Sequence, residues 1–172
     1  DSVRRFLGIL VASLMLVALL PVAATADDHG ACGDPFTPIY DIQGDGDDSP
    51  LDGEVVATEG VVTVDLQGED QLSGFFIQDL YGDGDPATSD GIFVSHRDTW
   101  SPSFDPRAGE VVRVQGTVDE QFGNTQIEFI SDASVCGRHR VTPLRIDART
   151  YNAHNEAYEG MYLGFVSPLA VT

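Results

Sequence analysis

The residues most suited to chemistry here are aspartates. Asp79, Asp83, Asp85 and Asp90 fall within twelve positions, in the run Asp79-Leu80-Tyr81-Gly82-Asp83-Gly84-Asp85 followed by Ser89-Asp90-Gly91. Carboxylates separated by glycines can curl round a hard cation that prefers oxygen ligands. The ligand order of an EF-hand is not met, so the expectation is a low-affinity Ca²⁺ site in a loop, with a hydrated Asx/Gly turn as the alternative. Gly44-Asp45-Gly46-Asp47-Asp48 is a second acidic cluster that could lend a ligand.

The other reactive types do not assemble. His29, His96, His139 and His154 are scattered singly, with no HExxH pair and no cysteine at ligand spacing. His154-Asn155 pairs two residue types used by metallonucleases, but in a polar stretch with no set of carboxylates around it. No serine sits on a GxSxG elbow, and no glycine-rich phosphate loop leads into a helix. The sequence therefore assigns no catalytic residue and no cofactor-binding residue.

Export frames the rest. Arg4 and Arg5 precede an uncharged stretch, Phe6 to Leu20, which Pro21 ends, and Ala24-Thr25-Ala26 offers a small-x-small cleavage site before Asp27. Residues 1–26 read as a cleaved signal peptide, with a retained anchor as the alternative. Cys32 and Cys136 are the only cysteines, and both follow that signal. They are expected to form one disulfide, against two free thiols or a bridge to another chain. The opening on Asp1 and the apolar run up to Thr172 read as a stretch of a longer polypeptide.

The whole chain carries a formal charge of −19 and contains no lysine. Such a surface favours solubility and opposes unaided, non-specific nucleic-acid binding, which depends on cations displacing counterions. Phe76, Tyr81, Phe93 and Trp100 could stack on bases, but Arg97, Arg107 and Arg113 are the only positive charges near them.

The elements that must position these residues are short strands. From Glu54, Val56, Thr58, Gly60, Val62, Val64 and Leu66 alternate with polar neighbours, the period of a half-buried strand. Phe75–Asp79 and Gly91–Ser95 are two shorter strands. Val112, Val114, Gly116 and Val118 face inward on a fourth strand, with Arg113, Gln115, Thr117 and Asp119 outward. A turn at Phe122-Gly123-Asn124 leads to a fifth strand over Gln126–Ile130, with Ile127 and Phe129 inward. Phe76 and Phe93 lie opposite the apolar set Phe75, Ile77, Ile92 and Val94. The predicted fold is all-β: a five-stranded OB-like barrel with an irregular N-terminal lead-in and a C-terminal extension, closure removing exposed edges. An immunoglobulin-like sandwich is the runner-up. The expected divisions are 1–26 signal peptide, 27–53 acidic lead-in, 54–137 core, and 138–172 extension or start of a next domain.

Several longer motifs point to a family. They are Ile42-Gln43-Gly44 with Ser49-Pro50-Leu51, Glu59-Gly60-Val61-Val62-Thr63, Gly74-Phe75-Phe76-Ile77-Gln78-Asp79, the run GDGDPATSDGIFV over 82–94, Val112–Val118, Phe122–Ile127 and Tyr158-Glu159-Gly160-Met161. Together they resemble the OB-fold-like module near the N-terminus of large secreted nucleases of the endonuclease/exonuclease/phosphatase superfamily, the ExeM/NucH type. The resemblance implies a parent enzyme that hydrolyses phosphodiesters with Mg²⁺ or another divalent metal, through a downstream domain not contained in this sequence. The partners it implies are that catalytic domain and a weak nucleic-acid contact, with no membrane once the signal is cleaved. The expected function is a non-catalytic OB-fold module of a secreted nuclease, placed outside the cell, on its surface or in the periplasm. The alternative is a stand-alone secreted OB-type binding or structural protein.

Overall fold

The computed structural model describes residues 30–68, 70–97 and 104–166; the expected signal segment and Trp100 lie outside the described residues. Alternating apolar residues form five main strands: β1 (Val55–Leu66), β2 (Gly74–Gln78), β3 (Gly91–Ser95), β4 (Glu110–Glu120) and β5 (Thr125–Arg138). Antiparallel pairing joins β1 to β2, β2 to β3, β4 to β5 and β1 to β4, while β3 and β5 run parallel. Hydrogen bonding therefore runs round a ring in the order β1-β2-β3-β5-β4. Inside it Phe75, Ile77, Ile92, Val94, Val112, Val114, Val118 and Ile127 pack as one core.

The predicted all-β, five-stranded OB-like barrel needs correction. The ring closes through only two residue pairs, Phe93 with Gln126 and Val94 with Ile127. An OB-like ring of strands describes the fold; a true barrel does not. The lead-in is irregular but for one helical element. A short helix, α1 (Ile39–Gln43), places Ile39 and Ile42 in the core with no exposed surface. Beyond β5, a parallel pair, β6 (Leu144–Ile146) and β7 (Leu163–Phe165), flanks α2 (Ala148–Ala153) and a 3₁₀ turn over Glu156–Tyr158. Leu163–Phe165 of the last apolar run thus pairs with β6.

Two strands break the expected alternation. The pairing of β1 with β2 shifts between Val62 and Val64, so Val61 and Val62 are both buried while Val64 is 39% exposed. Between Gln115 and Thr117 of β4, the partners on β5 jump from Asp132 to Glu128. The extra residues form a bulge, in which Phe129 takes a positive φ of 47° with its ring exposed. Ile130 fills the inward place expected for Phe129. Gly116 faces that bulge; a Cβ there would lie 2.6 Å from the Glu128 carbonyl oxygen and the Ile127 Cγ2.

The lead-in also changes what "outward" means for β4. Arg113 does point away from the core, but residues 33–37 cross over it. Its guanidinium bonds Glu59 Oε1 at 2.9 Å and the carbonyl oxygens of Asp34 and Pro35 at 3.1 and 3.0 Å. The Gly33 amide donates to the same Glu59 oxygen. The Cys32–Cys136 disulfide is present, with a Cα–Cα distance of 5.4 Å, and pins this strap to β5.

Candidate functional site

The four loop aspartates occupy different environments. Asp79, at the end of β2, is 8% exposed; its Oδ2 accepts from the backbone N–H groups of Ile39 and Tyr40 at 3.0 and 3.4 Å, capping α1 from across the fold. Burial, with the Asp90 and Asp83 charges adding to it, pushes its carboxyl up to about 7 against those two bonds. Asp90 is raised by burial and by Asp83, and its Oδ1 is buried without a hydrogen-bond partner. Asp83 Oδ1 accepts from the Asp85 amide and from Thr88 Oγ1, and Asp85 Oδ1 accepts from the Ala87 amide. These are successive Asx turns. Among the described residues, no group of three or more His, Cys, Asp or Glu side chains is arranged to hold a metal ion. His154 is exposed just beyond α2, beside an exposed Asn155.

A different region gathers recognition groups. A groove of about 610 Å³ opens on the outer face of the ring. Its floor is Thr63 and Val64 of β1 with Phe76 of β2, and the β4–β5 turn closes one end with Gly123 and Asn124. Phe76 lies against Phe93 with ring centroids 4.9 Å apart, which explains the second aromatic set on these strands. The facing wall is the extension, with Tyr151, Glu156, Tyr158 and Tyr162. Tyr151 is held by Phe165, edge to face at 5.7 Å, and by Tyr158 at 6.5 Å. Among the described residues, no Arg or His lines it.

That wall is fastened to the ring at several points. Glu159 Oε1 accepts from the Thr125 amide at 2.8 Å and from Gln43 Nε2 at 3.4 Å. Ser89 Oγ donates to the Glu159 carbonyl at 2.5 Å, and the Tyr162 amide donates to Gln78 Oε1 at 2.9 Å. Gly91 and Gly160 meet backbone to backbone: a Cβ on Gly91 would collide with the Gly160 carbonyl and the Met161 amide. Burial pushes the Glu159 carboxyl up to about 7, opposed by the Thr125 and Gln43 bonds and assisted by Glu156 and Glu120. Past Thr63 and Tyr162 the surface continues into a second groove of about 570 Å³, bordered by Arg138, His139 and Arg140.

The site therefore offers aromatic faces, hydroxyls, amides and two carboxylates, with no nucleophile–base pair among them. Sequence reasoning singled out Tyr158-Glu159-Gly160-Met161 as a motif but missed Tyr151, Tyr158 and Tyr162 as a cluster. Nothing local marks residue 160 as lying against residue 91.

No family model matches the chain, and no curated protein matches it. Among solved structures, that of the hypothetical protein ygiW from E. coli is similar over 49% of this chain and 77% of its own, with 17% identity and a TM-score of 0.34. A likeness of that size carries no functional argument. The class, an OB-like module, rests on the strand order itself.

Proposed function

We propose that this chain is an exported, non-catalytic OB-type binding or structural module whose working surface is the groove between β2 and the C-terminal extension. One observation carries the reading. The groove occupies the outer face of β2 beside the β4–β5 turn, where OB-like folds take oligomeric ligands, and its second wall is bonded in place rather than loosely apposed. A fixed, mixed-polarity cleft is the ordinary form of a binding site.

The test is co-sedimentation of the purified protein with the insoluble cell envelope of the producing organism. Wild type is expected in the pellet, and Tyr162→Asp, whose side chain is exposed on the groove rim, is expected to lose about fivefold or more in affinity, roughly 1 kcal/mol, with an unchanged melting temperature. Equal sedimentation of both proteins, or of neither, would count against the reading. The nuclease association implied by the motifs is a narrower form of it, in which the module shares a polypeptide with a metal-dependent catalytic domain. Native protein lacking such a domain would exclude that form alone.

A further inference from the structure

We propose that the second groove, where β5 leaves the ring, binds a phosphate monoester on a small organic molecule, its terminal oxygens held by the guanidinium groups of Arg138 and Arg140. This site meets the groove of the proposed function only at Thr63 and Tyr162, and neither reading depends on the other.

Charge pairing carries the argument. Acidic side chains outnumber Lys and Arg by 28 to 9 in this chain, so an arginine has carboxylates within reach over most of the surface. Arg107 is paired with Asp65 and Asp105, and Arg113 with Glu59. The groove arginines are treated differently. Arg138 comes no nearer to Glu110 than 3.8 Å, with its side chain 69% exposed. Among the described residues, Arg140 has no carboxylate partner, and no Asp or Glu lines the groove. Two arginines and His139 thus border one concavity whose wall holds no counter-charge.

The backbone beneath them is fixed. The His139 amide donates to the Gly109 carbonyl at 2.9 Å, and the Gly109 amide donates to the Val62 carbonyl at 2.8 Å. The segment bearing the arginines is therefore stitched to β1 across the groove floor. Arg138 also ends the β4–β5 ladder opposite Glu110, just beyond the Cys32–Cys136 bridge. Little backbone ordering opposes binding there.

The donors select the ligand. A guanidinium only donates, through a planar fork that matches two oxygens of an anion. A carboxylate has two oxygens and satisfies one fork. A phosphate monoester brings three terminal oxygens and a charge of about −1.5 to −2, enough for both. Tyr162 and Val141 offer an aromatic and an aliphatic surface beside the arginines for the organic part. Size matters as well. The field of the whole chain is screened over about 8 Å at physiological salt, so a compact anion responds to the arginines next to it. A nucleic-acid strand continuing past Tyr162 would meet Glu156 and Glu159 of the first groove.

The experiment is calorimetric titration of the purified protein with phenyl phosphate, benzoate and an oligothymidylate without terminal phosphate. Phenyl phosphate is expected to bind with a Kd of about 1 mM or tighter in dilute salt, and at least about threefold more tightly than benzoate. Raising NaCl from about 50 to about 500 mM should weaken it by about threefold or more, because the charges involved are exposed. Arg138→Gln and Arg140→Gln are each expected to weaken it by about fivefold or more. Both side chains are exposed, so the melting temperature should not change. Arg149→Gln removes the same charge from an exposed residue outside the groove and should alter affinity by less than about twofold. No binding of phenyl phosphate, an equal loss in Arg140→Gln and Arg149→Gln, or tighter binding of the oligothymidylate would overturn the proposal. So would pelleting with phosphatidic-acid vesicles that phenyl phosphate does not reverse, the mark of a membrane surface rather than a small-molecule site.

Discussion

Asp79 and Glu159 hold protons that an unfolded chain would release. Burial lifts both carboxyls to about 7 from ordinary values of 3.8 and 4.5. Between roughly pH 4 and 7 the folded state thus binds more protons than the unfolded state, and stability must fall as pH rises through that window. An acidic protein is expected to melt at a higher temperature at about pH 5.5 than at about pH 8 for this reason. Glu159→Gln keeps an acceptor for the Thr125 amide and removes the ionisation, so it should flatten the dependence and raise the melting temperature at the alkaline end. A melting temperature that climbs from the acid to the alkaline end in wild type would refute the assignment. At this scale the sequence showed that aspartates cluster but not what they face. Asp79 spends its oxygen on α1, forty residues away in sequence, while Asp83 and Asp85 cap turns of their own loop. Alternation of Asp and Gly is common to turn capping and cation binding, so spacing alone could not separate them.

The strands were legible where alternation was strict and failed where a bulge intervened. The inward valines of β4 are fully buried as their spacing required, whereas Phe129 on β5 is turned out by the register jump opposite Gly116. A period-two reading has no means of inserting unpaired residues, and so it also ended β5 at Ile130, eight residues before its true end. The same reading put Arg113 outward but could not see that the lead-in covers it. With side-chain exposures of 5% and 10%, Arg113 and Glu59 form a desolvated pair. Removing one partner leaves the other's charge buried without its counter-charge. Arg113→Ala is expected to cost about 3–5 kcal/mol in urea unfolding, and an Arg113→Met/Glu59→Leu double substitution much less. A loss under about 1 kcal/mol for the single variant, the usual worth of an exposed pair, would show that the strap over Arg113 opens in solution.

On the scale of the whole molecule, the ring is held from outside by two segments that sequence patterning left without structure. The lead-in straps β1 and β4, and the extension fastens to β2, β3 and β5 through Gln78, Gly91 and Thr125. The bond between Cys32 and Cys136, foreseen from cysteine count and export context, joins the first of these segments to the ring. Replacing both cysteines with serine should lower stability by about 2–5 kcal/mol. It should also expose the Arg113–Glu59 pair, so the cysteine and Arg113 substitutions should be less than additive when combined. Full additivity would mean that the bridge acts only on the unfolded chain. The bridge also sets an order in time. On a polypeptide that emerges N-terminus first, Cys32 appears 104 residues before its partner, and Cys136 arrives only after all of β1 to β4. The thiol must stay reduced and unclaimed while the entire ring is laid down, so oxidation records a completed sheet rather than guiding its assembly. An oxidant acting too early finds a lone sulfur with no intramolecular partner, and its natural product is two chains joined at Cys32.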